Sequence, residues 1–175
     1  KGPFLLIAQI YSFVFFVFFH SIEYMKNTIS FNTKFGWISA TETNNRITKI
    51  QFCRKKELGK KSKNLKNLQK MITSFFQKKT NKLDAKIHFN GNSIQKKIWR
   101  ELKKIKKGKV KTYGEIAKKL KTSPRYVGRV CGENNHLLLV PCHRIIRSDK
   151  TLGGFSAPGG VKLKRKLLEF EGIFI

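Results

Sequence analysis

The sequence predicts an α+β fold in which a small α/β N-terminal domain precedes a mostly helical C-terminal domain. Residues 28–52 alternate apolar and polar side chains, which is the spacing of half-buried strands. From residue 92 onward, apolar residues recur with helical spacing behind residues that commonly cap helices. At 175 residues the chain can bury a sizeable core. We therefore expect domains at residues 25–91 and 92–175.

The N-terminal half reads as a scaffold without visible chemistry. Asn44 and Asn45 predict a tight hairpin turn between strands that contain Ile38 and Ile47. After this hairpin we expect, in order, a solvated basic linker at residues 55–66, a helix at 68–77 and a short strand with a turn at 84–92.

Three helices are predicted at the start of the second half. Asn92 can cap the first, with Gln95 reaching back to it, and Thr112 with Glu115 repeats this capping box for the second. The third opens at Ser123, which is followed by a proline. The rest of the chain predicts an apolar strand at residues 137–140, a glycine-rich loop at 151–160 and an amphipathic helix at 161–170.

The second and third of these helices are separated by a short turn, which makes them a candidate helix-turn-helix. Such a pair also occurs as plain core architecture. Arg125 and Arg129 fall on the outward side of the third helix, where they could contact DNA. The two arginines are rival candidates for the same role.

The first 24 residues differ in composition from the rest of the chain. Residues 4–19 form an almost uncharged apolar run that is shorter than the roughly 20 residues of a bilayer span. The first methionine is Met25, and a lysine-rich, mixed composition begins there. We expect residues 1–24 to be a non-native or leader extension. A membrane anchor or an export signal is the alternative.

The net charge of +28 favours polyanions as partners, with nucleic acid ahead of an anionic membrane surface. Dispersed lysines on solvated faces are the competing explanation. The cysteines Cys53, Cys131 and Cys142 show no C-x-x-C spacing, which suits a reducing, cytoplasmic compartment. A zinc site from Cys131, His136, Cys142 and His143 can be imagined. Its spacing matches no common ligand pattern, so we expect no metal.

Cys142 and His143 are the candidate reactive pair. A free cysteine has a pKa of about 8.5 and needs a base or a positive potential to attack at neutral pH. Neighbours on a strand point to opposite faces, so a water molecule or a turn would have to join thiol and imidazole. Glu171 or Glu133 could orient the imidazole. The alternative is that Cys142 is a small buried hydrophobe.

Four segments, VPCHRIIRSDKTLGGFS, KRKLLEFEG, GKVKTYGEIAKKL and SPRYVGRVCGENN, carry a family resemblance. The first two resemble the active-site segment of the O6-alkylguanine-DNA alkyltransferases (methylated-DNA–protein-cysteine methyltransferases). The last two lie upstream in the chain and resemble that family's helix-turn-helix and asparagine hinge, in the same order and at compatible spacing. The resemblance covers residues 93–172 closely and residues 28–91 only in pattern. It implies a ribonuclease-H-like N-terminal domain and a winged-helix-like C-terminal domain.

The resemblance implies direct-reversal DNA repair, in which Cys142 takes an alkyl group from O6 of a flipped-out guanine. O4-alkylthymine is a second candidate substrate. His143 would act through water as the base, oriented by Glu171. Asn134 would hold the hinge, and the hydroxyl of Tyr113 would stabilise the departing guanine.

For DNA binding, the resemblance implies that Arg125 enters the stack, with Arg129 as its rival. Ser156 and the backbone near Ile145 would line the base pocket. Each molecule would act once, as a monomer on duplex DNA rather than on a membrane, without metal, nucleotide or redox cofactor. A lesion sensor that transfers nothing and a helix-turn-helix regulator with a structural Cys142 are the alternative functions.

Overall fold

The computed structural model describes residues 26–175, which begin with an antiparallel sheet. Strands β1 (Lys26–Thr33), β2 (Gly36–Thr43) and β3 (Arg46–Gln51) lie in the order β1-β2-β3. Asn44 and Asn45 both have positive φ, 50° and 58°, as a tight two-residue hairpin turn requires. The hairpin predicted at this asparagine pair is therefore confirmed.

Helix α1 (Lys63–Phe76) contacts all three strands and begins earlier than the sequence pattern indicated. The hydroxyl of Ser62 accepts a hydrogen bond from the backbone N–H of Leu65, and Leu65 is fully buried. The prediction of a solvated linker is therefore wrong from Ser62 onward, because the apolar face of the helix already starts at Leu65.

Residues 84–92 do not form the predicted strand. Only Ile87 bridges to β3, with hydrogen bonds from Ile47 N–H to the Lys86 carbonyl (3.1 Å) and from His88 N–H to the Ile47 carbonyl (3.0 Å). The chain then turns closely against Trp99, where a Cβ on Gly91 would lie 2.8 Å from the ring. Within the described residues, this segment therefore pairs with β3 through a single bridge and not as a strand.

The C-terminal half holds four helices and two very short strands that pair in parallel. In chain order these are α2 (Ser93–Lys103), β4 (Lys111–Thr112), α3 (Tyr113–Lys119), α4 (Pro124–Gly132), a 3-10 turn (Cys142–Arg144), β5 (Ile145–Ile146) and α5 (Gly160–Phe170). Both predicted capping boxes are present, and the Ser123 hydroxyl accepts from the Tyr126 N–H. Helices α3 and α4 pack together across residues 120–123, as expected for a helix-turn-helix.

The strand predicted at residues 137–140 is absent. Leu138 adopts a left-handed conformation with φ of 72°, and the Val140 N–H bonds back to the His136 carbonyl at 2.8 Å. The apolar side chains of this segment are buried within a turn, so their run reflects burial rather than extended backbone. A short apolar run cannot distinguish these two cases.

One continuous cluster of buried side chains runs through both halves of the described chain. The Ile50 N–H donates to the Asn135 carbonyl at 2.7 Å, which ties β3 to the segment after α4. Phe35, in the β1–β2 turn, packs edge-on against Phe170 at the end of α5, with centroids 5.5 Å apart. The N-terminal sheet therefore supports the segments that carry the candidate site.

The apolar extension predicted at residues 1–24 lies outside the described residues. Within residues 26–175, no helix combines the length and the apolarity needed to cross a bilayer.

Candidate active site

The candidate site is built around the 3-10 turn Cys142–Arg144, whose side chains are all buried. Cys142 and His143 are therefore not neighbours on a strand, and their side chains need not point to opposite faces. After the turn, Ile145 pairs with Lys111 in parallel register. This pairing brings the turn close to the start of α3, where Tyr113 is the first helical residue.

Asn134 connects the end of α4 to this turn. Its Nδ2 donates to the Val140 carbonyl at 2.8 Å and to Cys142 Sγ at 3.2 Å, while its Oδ1 accepts from the His136 N–H at 2.9 Å. These contacts fix the orientation of the amide, because only the nitrogen can donate. The thiol thus accepts a directed hydrogen bond from the side-chain amide of Asn134.

His143, Arg144 and Glu171 form a buried polar group behind the turn. The Nε2 of His143 lies 3.1 Å from Glu171 Oε1, and Arg144 donates to both oxygens of the same carboxylate, at 2.7 and 2.8 Å. Arg144 also donates to the Ile105 carbonyl at 2.5 Å. Glu133, the other candidate carboxylate, instead accepts from Gln95 and lies on the surface.

The charges of this group follow from its surroundings. Burial raises the pKa of Glu171, but hydrogen bonds from His143 and Arg144 outweigh it and bring the pKa to about 2. Burial lowers the pKa of His143, although Glu171 opposes this. At neutral pH the carboxylate is therefore charged and the imidazole is neutral. A neutral imidazole that donates from Nε2 keeps Nδ1 free to accept a proton.

Cys142 rests as a thiol. Burial raises its pKa, while the hydrogen bond from Asn134 and the charge of Lys164 oppose that rise, as do the backbone N–H groups of the turn. These opposing interactions favour the thiolate once a base removes the proton. The site therefore holds Cys142 as a thiol at rest and stabilises the nucleophilic thiolate after a base has removed the proton.

Lys164 is a residue of this site that the sequence pattern did not single out. Its side chain is 0% exposed, and its Nζ donates to the carbonyls of Ile145 (2.5 Å), Leu152 and Gly154 (3.3 Å). Burial lowers its pKa to about 8, against the opposing effect of Cys142 and Cys131. The sequence signal that could have indicated its burial is its position between Leu163 and Leu167 on the apolar face of α5.

A cavity of about 250 Å³ opens onto the thiol. It is lined by Tyr113, Gly128, Cys131, Gly132, Cys142, Gly154, Phe155 and Ser156. Burial, followed by the nearby thiols, raises the pKa of Tyr113 to about 12, so its hydroxyl stays protonated and can donate. Ile145 is not part of this lining, because it is fully buried in β5 and its carbonyl is held by Lys164.

The two arginines of α4 differ in their contacts. The guanidinium of Arg129 stacks on the Tyr126 ring at 4.7 Å and lies 3.8 Å from the Glu133 carboxylate. Arg125 is exposed and makes no ion pair or ring contact within the described part of the chain. Arg125 is therefore the arginine whose side chain can reorient at the smaller cost.

The zinc site considered from the sequence does not form among the residues that the structure describes. No cluster of three or more His, Cys, Asp or Glu side chains with the geometry of a metal site occurs there. His136 instead contacts the Ile47 carbonyl through Nε2 at 3.2 Å, and burial lowers its pKa to about 4. It acts as a neutral core residue that joins the two halves.

Comparison with known proteins shows a similarity in sequence over most of this chain. The profile of the family described as 6-O-methylguanine DNA methyltransferase, DNA binding domain, matches residues 93–173. The methylated-DNA–protein-cysteine methyltransferase of Metallosphaera sedula is 39% identical over 83% of this chain and 93% of its own. That of Sulfolobus acidocaldarius is 38% identical over 83% of this chain and 92% of its own.

The fold is similar to that of a solved structure. Mycobacterium tuberculosis OGT in complex with DNA has a TM-score of 0.73 at 24% identity, covering 83% of this chain and 92% of that chain. This likeness extends through both halves and supports a mixed α/β fold.

Proposed function

The chain belongs to the family of methylated-DNA–protein-cysteine methyltransferases and is a DNA-repair alkyltransferase, and we propose that Cys142 is its alkyl acceptor. The observation that carries this assignment is the placement of the thiol. Cys142 lines a cavity, accepts a hydrogen bond from Asn134, and lies in the same turn as a histidine held by Glu171.

The reaction is an in-line displacement at the alkyl carbon attached to O6 of guanine. Cys142 Sγ forms the new S–C bond while the C–O6 bond breaks, and the bonding electron pair leaves with the guanine. The thiol proton passes through a water molecule to Nδ1 of His143, whose imidazolium is stabilised by the Glu171 carboxylate. The Tyr113 hydroxyl donates to the departing guanine and offsets its negative charge.

The target base must leave the double helix, because a buried thiol cannot reach O6 inside a base stack. We propose that Arg125 occupies the vacated position in the stack, which partly offsets the cost of unstacking. The contacts of Arg129 with Tyr126 and Glu133 favour Arg125 for this role. Helix α4 would lie in a groove of the duplex, as helix-turn-helix recognition helices do.

The base pocket is the cavity in front of the thiol. Gly128, Gly132 and Gly154 carry no side chains there, which leaves room for a planar base. Ser156 also lines this cavity, which supports a contact between its side chain and O6 of a bound guanine. Lys164 holds the glycine-rich loop against α5 and thereby positions the part of the cavity wall that this loop forms.

Single use follows from the product. A thioether on Cys142 is stable, and no described group could return it to a thiol. We infer that the protein acts as a monomer on duplex DNA that contains O6-alkylguanine, in the cytoplasm, where its free thiols stay reduced. O4-alkylthymine remains a second candidate substrate.

We also propose the finer fold assignments. The antiparallel sheet with α1 across it supports a ribonuclease-H-like N-terminal domain. The packed pair α3 and α4, followed by the β4–β5 pairing, supports a winged-helix-like C-terminal domain.

The test is to incubate the full chain with a duplex that carries one O6-methylguanine and to measure the mass of the intact protein and of its peptides. The proposal predicts a gain of one methyl group on the peptide that contains Cys142. An unchanged mass with tight binding to the lesion would instead identify a lesion sensor. An unchanged mass with equal binding to damaged and undamaged duplex would identify a DNA-binding regulator.

A further inference from the structure

Three lysines from separate segments converge on one aromatic ring at the end of α5. The Nζ atoms of Lys34, Lys107 and Lys78 lie 3.8, 5.1 and 5.8 Å from the centroid of Phe170. Lys34 belongs to the β1–β2 turn, Lys78 follows α1, and Lys107 follows α2. We call these three side chains the lysine triad.

The lysine triad has no carboxylate partner in the part of the chain that the structure describes. Among residues 26–175, none of its three members takes part in an ion pair. Desolvation lowers the pKa of Lys34, and the nearby positive charges of Lys78 and Lys107 lower it further. The faces of the Phe170, Phe35 and Phe75 rings attract these cations, but the rings carry no net negative charge.

A basic cleft of about 620 Å³ adjoins the triad. Lys107 belongs to both, since it lines the cleft and its Nζ also donates to Asn81 Oδ1 at 3.0 Å. Two further lysines of the cleft, Lys82 and Lys106, make no ion pair in the described part of the chain. The positive potential of the triad therefore continues into a concave space.

This cleft is distinct from the cavity in front of the thiol. The two spaces share no lining residue, although both border the turn Cys142–Arg144. Cys142 faces one space, whereas Arg144 and Glu171 border the other. A ligand in the basic cleft would therefore not compete with a base bound in the alkyl-transfer cavity.

We propose that the lysine triad and the adjoining cleft form an anion site, separate from the base pocket, which binds a phosphate group. Phosphate offers several charged oxygens within a small volume, so one group can bind more than one ammonium at once. The phosphate comes either from a small molecule in solution or from a nucleic-acid backbone. Both sources present the same chemistry to the three lysines.

The proposed site would also give a role to basic residues that lie outside helix α4. Helix α4 carries only Arg125 and Arg129 as basic residues, although the chain has a net charge of +28. Lysines that merely coat a solvated face would spread apart to lower their repulsion. The lysine triad instead gathers, from three separate segments, over the neighbouring rings of Phe35, Phe75 and Phe170.

The first test measures the binding of inorganic phosphate to the full chain, at constant ionic strength against chloride, by amide chemical shifts. The test variant is Lys34→Gln with Lys107→Gln. Its matched control is Lys66→Gln with Lys70→Gln, two exposed lysines of α1 that remove the same charge. Single Lys78→Gln serves as a second variant, because the Lys78 side chain is exposed and its replacement leaves no buried group without a partner.

Phosphate should shift the amides around the triad, and its affinity should fall at least fivefold in the test variant but stay unchanged in the control. A second experiment follows the salt dependence of binding to undamaged duplex. If the phosphate belongs to a DNA backbone, the slope of log K against log salt should fall by about 1 for each lost contact. If it belongs to a small molecule, the slope should match the control's. Equal phosphate affinity and equal slopes in test variant and control would overturn the proposal.

Discussion

Cys142 and Cys131 line the same cavity, yet their surroundings differ in ways that suit only one of them to attack. Both thiols are buried, and burial raises the pKa of each. Cys142 accepts from Asn134 and lies near the backbone N–H groups of its own turn, whereas no described donor contacts Cys131. Burial alone therefore makes an inert thiol, and directed donors beside a base make a nucleophile.

The largest expected effect is a difference in methyl transfer between variants that lack one or the other thiol. Cys142→Ala should abolish methyl transfer from an O6-methylguanine duplex, because Cys131, the other thiol that lines the cavity, has no described donor at its sulfur. Cys131→Ala should transfer within a few fold of wild type, since this thiol contributes only a wall of the cavity. Peptide mapping after incubation with the duplex measures both. Methylated Cys131 in the Cys142→Ala variant would refute the distinction.

Glu171→Gln should both destabilise the fold and slow transfer. It leaves the Arg144 guanidinium buried without its charged partner, which costs about 3–5 kcal/mol in comparable buried pairs. The exposed Glu169→Gln on the same helix is the control. Chemical denaturation and single-turnover rates at neutral pH measure the two effects.

The same variant should change acid stability. The pKa of Glu171 in the fold, about 2, lies below its ordinary 4.5, so its stabilisation is complete above pH 4.5 and is lost as pH falls towards 2. Glu171→Gln should therefore lose less stability than wild type over this range. If the free energy of unfolding fell equally with pH in both proteins between pH 5 and pH 2, Glu171 would not be an ionised, stabilising carboxylate in the fold.

Asn134→Ala should slow transfer by about 10- to 100-fold, the cost expected for one hydrogen bond to a group that becomes charged. Asn135→Ala is the matched control, because its side chain is exposed and only its backbone carbonyl holds β3. The rate of Cys142 alkylation by iodoacetamide should fall in parallel. An equal effect of both substitutions would show that the hinge, rather than the donor, matters.

The smallest effect concerns Lys164, which acts on both thiols through its charge. Lys164→Met should slow transfer about 10-fold near pH 7. The deficit should shrink to a few fold well above pH 8, because wild-type Lys164 loses its own proton at about that pH. The control is Lys166→Met, at an exposed position on the same helix. A deficit that does not vary with pH would mean that Lys164 only anchors the loop.

Local signals predicted where the helices of the second half begin. The capping boxes at Asn92 and Thr112 are interactions over three residues, so they are visible in sequence. The same holds for the hairpin at Asn44 and Asn45, where the turn chemistry itself demands positive φ. Residues 137–140 were wrongly predicted to be a strand, because their apolar composition reflects burial within a turn and not the alternating pattern of a strand.

The polar contacts of the candidate site were only partly accessible from sequence. Glu171 and Glu133 were equal candidates on chemistry, and 28 residues separate Glu171 from the histidine it holds. Lys164 was missed because a buried lysine depends on three carbonyls that come from other segments. The roles of Arg125 and Ser156 stay predictions, since they concern contacts with DNA.

The most direct test of the account is a count of methyl groups transferred per protein molecule. Excess duplex carrying one O6-methylguanine is incubated with the full chain, and restored guanine is measured together with methylated cysteine. The account predicts that transfer stops at one methyl per molecule, with every methyl on Cys142. Repair of more than one lesion per molecule, or restored guanine without methylated Cys142, would contradict it.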